Sequence, residues 1–123
     1  MPNKLFDESR VWILDGAMGT MLQQAGLAPG EIPDVWSVTH PEVVTGIHKA
    51  YLEAGSNFIS TNTFGANGLK FPAGGQFDLE ALVKAAVDIA RSARAEAGRE
   101  KDAYIALDLG PTGKLLKPMG ELD

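Results

Sequence analysis

Three short groups of residues have the types and spacing to do chemistry, and each follows an apolar run. The first is Asp15, Gly16, Ala17, Met18 and Gly19 in "LDGAMGT". Gly16 and Gly19 let the backbone approach a ligand closely. The amides from Ala17 to Gly19 stand where a helix is expected to begin, a position that receives a carboxylate or a phosphate. The Asp15 carboxylate repels an anion and attracts an ammonium group. Side by side, the two suit a zwitterion such as the α-amino acid end of a substrate. An Asp-Gly pair after a strand is also ordinary turn chemistry, with the side chain capping the next helix, so both readings stand at this point.

The second group is "TNTF", where Asn62 and the hydroxyls of Thr61 and Thr63 offer hydrogen bonds to a polar ligand. Threonine in a strand and asparagine at its exit are equally common structural choices. The third, "DLGPTG" from Asp108 to Gly113, lacks the Lys-Ser/Thr ending of a P-loop and the spacing of a dinucleotide fingerprint. It reads as a strand exit, with Lys114 and Lys117 solvated. His40 and His48 lie on a helix away from the strand ends, with no second ligand at metal-binding spacing, and take structural or surface roles. The chain has no cysteine, which removes disulfides, a thiol nucleophile and a thiolate metal site.

Regular elements must bring these groups together. Val11 to Leu14 is a continuous apolar run, as in a strand buried on both faces of a parallel sheet. A helix is expected from about Met18 to Gln24, with Gly26 near its end. In "THPEVVTGIHKAYLEAG", Thr39 and Glu42 fit a capping box, Pro41 sits in the first turn, and Gly55 supplies the stop. Phe58 to Ser60 reads as a second strand, followed by a Gly- and Pro-rich loop. Asp78 caps a long helix ending at Gly98, whose stripe of Leu79, Leu82, Val83, Ala86, Ala90, Ala93 and Ala97 is suited to packing on a sheet. Ala103 to Gly113 supplies a third strand.

Strands alternating with helices predict an α/β fold with a parallel sheet, either doubly wound or closed as a (β/α)8 barrel. A closed barrel takes roughly 250 residues, and three parallel strands leave two open edges. The 123 residues are expected to form one domain's worth of chain, the first three βα units of a larger, here incomplete, architecture.

Composition narrows the partners. The formal net charge is −5, with no basic cluster, which disfavours nucleic acid and an anionic membrane surface. No apolar run reaches a membrane-spanning length, and the polar start "MPNKLFDESR" is unlike a secretory signal. A cytoplasmic address is expected.

Taken together, "LDGAMGTMLQ", "THPEVVTGIHKAYLEAGSNFISTNTFGAN" and "LGPTGKLLKP" resemble, in order and spacing, the homocysteine S-methyltransferase family. The likeness runs from about Val11 to Met119 and is strongest toward the cobalamin-dependent branch. The resemblance implies a (β/α)8 (TIM) barrel that transfers a methyl group to the homocysteine thiol to form methionine. It implies zinc held by three cysteines, and methylcobalamin as donor in the branch most resembled. By motif, Asp15 would bind the homocysteine ammonium, and the backbone of Gly16, Ala17, Met18 and Gly19 would receive its carboxylate. Asn62 and Thr63 would line the pocket, and Gly110 to Gly113 would shape its wall. The family's zinc ligands have no counterpart in this chain, so an N-terminal portion, inactive by itself, is expected. Two competing expectations are a non-catalytic α/β module whose open edges pair with a second chain, and a fragment of a (β/α) barrel enzyme that binds phosphate in the same nest.

Overall fold

The computed structural model describes residues 8–123. The polar start read above lies, through residue 7, outside the described residues. The fold is α/β around a small parallel sheet. The helices are α1 (Gly19–Gln24), α2 (Trp36–Thr39), α3 (Pro41–Glu53) and α4 (Leu79–Glu96), and the strands are β1 (Phe58–Ser60) and β2 (Tyr104–Ala106).

β1 pairs in parallel with β2, Ile59 opposite Ile105. On the other edge of β1 the Val11 to Leu14 segment runs parallel to it. The Ile13 carbonyl accepts the amides of Asn57 (2.7 Å) and Phe58 (3.1 Å), and the Phe58 carbonyl accepts that of Asp15 (2.9 Å). The strands therefore lie in chain order, and each ends on the same side of the sheet.

The expectation that Val11 to Leu14 is buried on both faces is corrected. It forms one isolated bridge, Leu14 to Phe58, and Val11 and Leu14 are 83% and 66% exposed. Its outer edge meets no strand among the described residues, and the Asn57 side chain accepts the Ile13 amide in place of a ladder partner (3.1 Å). The third strand is also shorter than read: the ladder stops at Ala106, and Leu107 and Leu109 beyond it are exposed.

The helices meet the sheet through α3 and α4. The α4 stripe begins at Asp78, whose carboxylate accepts the Ala81 amide (2.9 Å), and α4 is followed by Gly98 at φ +67°. Ala90 and Ala93 of α4 close on Leu52 of α3, Ile59 of β1 and Ala103. The small side chains thus let α4 approach helix and sheet together. A second cluster of Leu22, Leu27, Trp36, Val44, Ile47 and Ile89 holds α1 and α2 against α3 and α4.

The capping box expected at Thr39 and Glu42 does not form. Thr39 is the last residue of α2, and its hydroxyl donates back to the Val35 carbonyl (3.2 Å). His40 takes the cap position without a side-chain cap bond, its ring stacked 4.1 Å from Trp36. Pro41 does open α3, and Gly55 turns the chain at φ +111°.

Arg99 seals the other end of α3. Its guanidinium donates to the carbonyls of Leu52 (2.5 Å) and Ser56 (3.2 Å), while Asp102 accepts from Nε (2.9 Å). Net of the exchange with water, hydrogen bonds to charged groups contribute about 1.5–3 kcal/mol each when buried. Arg99→Ala is expected to lower unfolding free energy by about 2 kcal/mol in urea denaturation. Arg99→Lys is expected to recover only part of this, because one ammonium cannot reproduce the planar fork.

Candidate functional site

The carboxyl ends of the three extended segments open into a cavity of about 780 Å³. Its walls come from the Leu14 to Thr20 loop, the Glu31 to Asp34 turn, and the exits of β1 and β2 at Ser60 to Asn62 and Asp108. This is where a parallel α/β sheet presents groups to a ligand.

Asp15 is fixed by the strand beside it. One carboxylate oxygen accepts the Ser60 amide (2.7 Å) and the other the Ser60 hydroxyl (3.2 Å). No side chain caps α1, so the capping alternative for Asp15 is not the one the chain adopts. Burial raises the Asp15 carboxyl above the ordinary aspartate value, and the nearby charge of Asp108 pushes in the same direction; the Ser60 hydrogen bonds oppose it. Among the described residues, the amides of Gly16, Ala17 and Met18 donate to no protein group.

Asp15, Gly16, Ala17, Met18, Gly19 and Asn62 all stand on the cavity wall. The Asn62 amide nitrogen donates to the Pro33 carbonyl (2.8 Å) and the Ser37 hydroxyl (3.2 Å), joining the β1 exit to the turn before α2. Thr63 is not on the wall. Its hydroxyl meets that of Thr61 (2.7 Å) and donates to the Asp108 carbonyl (2.7 Å), while the Asp108 amide donates to Thr61 (3.1 Å). The two threonines stitch one strand exit to the next. Gly110 to Gly113 also lie off the wall, but Gly110 packs on the backbone and ring of Phe64, which is on it.

Asp34 is a cavity-lining residue that sequence reasoning passed over. It is 3% exposed, faces the cavity, and accepts the Gly65 amide (2.9 Å). A Cβ on Gly65 would stand 2.8 Å from its other oxygen, so a larger residue there would push the carboxylate aside. Burial raises the Asp34 carboxyl, with Asp108 adding to the rise and the Gly65 amide and Lys70 opposing it. The Pro-Asp pair at 33 and 34 was the available signal, being a usual way to open a turn. Asp15, Glu31, Asp34 and Asp108 give the cavity an acidic lining, with Lys70 as the cation among them.

His48 is structural, as read: fully buried, with neither ring nitrogen partnered. Burial pushes its pKa from 6.5 down to about 4. The folded form therefore binds fewer protons than the unfolded one, so stability is full above about pH 6.5 and is lost as pH falls toward 4. At about 1.4 kcal/mol per pH unit this amounts to about 3 kcal/mol. Urea midpoints are expected to fall across this range, and His48→Leu is expected to lessen the fall.

The zinc ligand set implied by the resemblance does not fit these residues. Cysteine is absent from the chain, and no group of three His, Asp or Glu side chains could hold a metal ion among the described residues. Nor is any helix among them long and apolar enough to cross a membrane.

Parallel strands in chain order, with a cavity at their carboxyl ends, place the protein in the class of α/β proteins whose ligand sites lie beyond the strand tips. Within that class it belongs to the homocysteine S-methyltransferase family, whose match covers residues 12–123. Methionine synthase of Mycobacterium tuberculosis (strain ATCC 25618 / H37Rv) is 34% identical over 117 residues, covering 86% of this chain and 10% of that protein. Methionine synthase of Mycobacterium leprae (strain TN) is 42% identical over 64 residues, covering 47% of this chain and 5% of that protein. The crystal structure of the homocysteine methyltransferase MmuM from Escherichia coli, in its metallated form, matches with TM-score 0.70 and 30% identity. That match covers 86% of this chain and 40% of MmuM. The chain thus spans a tenth or less of the matched methionine synthases and about two fifths of the solved relative.

Proposed function

We propose that the cavity is the homocysteine site of a methyltransferase that converts homocysteine to methionine, with the activity of a methionine synthase. The observation that carries this reading is the pairing on one wall of a fixed carboxylate, Asp15, with the unpaired amides of Gly16 to Met18. One receives the substrate ammonium and the others its carboxylate, with Gly19 leaving room for the approach. Asn62 holds the facing wall in register; Thr63 supports the site from behind through Asp108. An acidic lining of three aspartates and Glu31 disfavours a phosphate ester, whose charge would meet like charge.

These residues bind and orient; they do not activate the thiol. Zinc, on the family's three cysteines, would be held by residues outside this chain. Methylcobalamin as donor and a cytoplasmic address belong to the same proposal.

The architecture we propose is the first three βα units of a (β/α)8 barrel. It is supported by strand order, by the part of MmuM covered, and by the exposed apolar side chains Leu14, Leu107 and Leu109 at the sheet. Coding sequence after Asp123 is expected to continue into βα units with three cysteines at strand ends. A stop there would favour a module that pairs with a second chain. The function itself is tested by calorimetry on the complete polypeptide: homocysteine is expected to bind and glycerol phosphate not to, and the reverse would overturn the assignment.

A further inference from the structure

We infer that Tyr51 is the positioning residue that turns the amide of Met18 toward the substrate carboxylate. The inference rests on the homocysteine reading of the cavity and adds a residue to it. Tyr51 lies in the last turn of α3, and its hydroxyl donates to the Ala17 carbonyl (2.8 Å). The ring lies against Gly16, where a Cβ would stand 2.8 Å from the hydroxyl oxygen and 3.0 Å from the ring edge. The same ring packs against both hydrophobic clusters, so the hydroxyl has little freedom to follow the loop.

Peptide geometry converts that contact into a direction. In a trans peptide the carbonyl of one residue and the amide of the next point opposite ways. Holding the Ala17 carbonyl on α3 sends the Met18 amide to the other side. Gly16, Ala17 and Met18 line the cavity, and Tyr51 does not. The Met18 amide has no protein acceptor among the described residues. With α1 only six residues long, the orientation of this one peptide matters more than any helix dipole. Tyr51 therefore acts through the Ala17–Met18 peptide without touching the ligand.

The test is Tyr51→Phe in the complete polypeptide, titrated calorimetrically with homocysteine and with 3-aminopropane-1-thiol, which keeps the thiol and ammonium and lacks the carboxylate. Homocysteine affinity is expected to fall about tenfold, and that of the aminothiol to stay within about twofold. Gly16→Ala, which displaces the ring, is expected to show the same selective loss. Equal losses for both ligands would mean general loosening and would overturn the inference, as would no loss for either. Wild-type protein that fails to bind homocysteine would overturn the homocysteine reading itself and this inference with it; wild-type binding with an unchanged Tyr51→Phe constant would overturn this inference alone.

Discussion

Asp15→Asn in the complete polypeptide is expected to raise the homocysteine dissociation constant at least about tenfold, equivalent to about 1.4 kcal/mol. The substitution keeps the size of the side chain and leaves one oxygen to accept the Ser60 amide, so the strand-end clasp survives. What it removes is the charge that faces the ammonium. Asp15→Ala goes further, because the Ser60 amide also loses its acceptor, and a loss of about 2 kcal/mol is expected, the low end for truncating a hydrogen-bonded charge pair because Asp15 is only half-buried. The ligand decides whether the effect is electrostatic. With 4-mercaptobutanoate, which has the thiol and carboxylate but no ammonium, Asp15→Asn should cost nothing. The raised Asp15 pKa adds a direction in pH: homocysteine affinity should fall on acidification as the carboxyl takes its proton. A homocysteine constant unchanged by Asp15→Asn would return Asp15 to the role of strand-end clasp alone.

Gly110→Ala is expected to destabilise the fold strongly. A Cβ at this position collides with the carbonyl of Phe64 and with its ring. The backbone of Gly110 has no positive φ, so the demand is for space alone. Neither partner is the free end of a flexible side chain, and relief requires the β1 exit and the segment after β2 to part. Overpacking usually costs about 1–3 kcal/mol, and this contact is between main chains, so a loss above about 3 kcal/mol in chemical denaturation is expected. Phe64 lines the cavity, so homocysteine binding should weaken in the same variant. A stability within about 0.5 kcal/mol of wild type, the range of neutral surface changes, would show that the two segments separate freely.

These two positions illustrate what a linear reading reaches. Phe58 to Ser60, the Asp78 cap and the Gly98 stop were legible because their signals are local: an apolar run, a capping carboxylate, a glycine after the last helical turn. The strand-end loop at Asp15 to Gly19 was legible because two glycines and a charge follow an apolar run. Other features depend on partners far along the chain. Asp34 acquires its place from the Gly65 amide, 31 residues away, and Thr63 its direction from the Asp108 carbonyl, 45 residues away. The Thr39 capping box lost to α2, a four-residue helix too short to carry a periodic signal, whose Val35 carbonyl took the hydroxyl. Val11 to Leu14 has the composition of a buried strand, yet burial needs a neighbour on each face, and composition cannot say where that neighbour is encoded.

The most direct measurement is amide chemical-shift mapping of the complete polypeptide as homocysteine is added. The account predicts the largest shifts at the amides of Gly16, Ala17 and Met18 and at Ser60, whose amide is bonded to Asp15. Shifts centred instead on the Phe71 to Phe77 loop, or none at the Asp15 to Gly19 loop under saturating homocysteine, would contradict it.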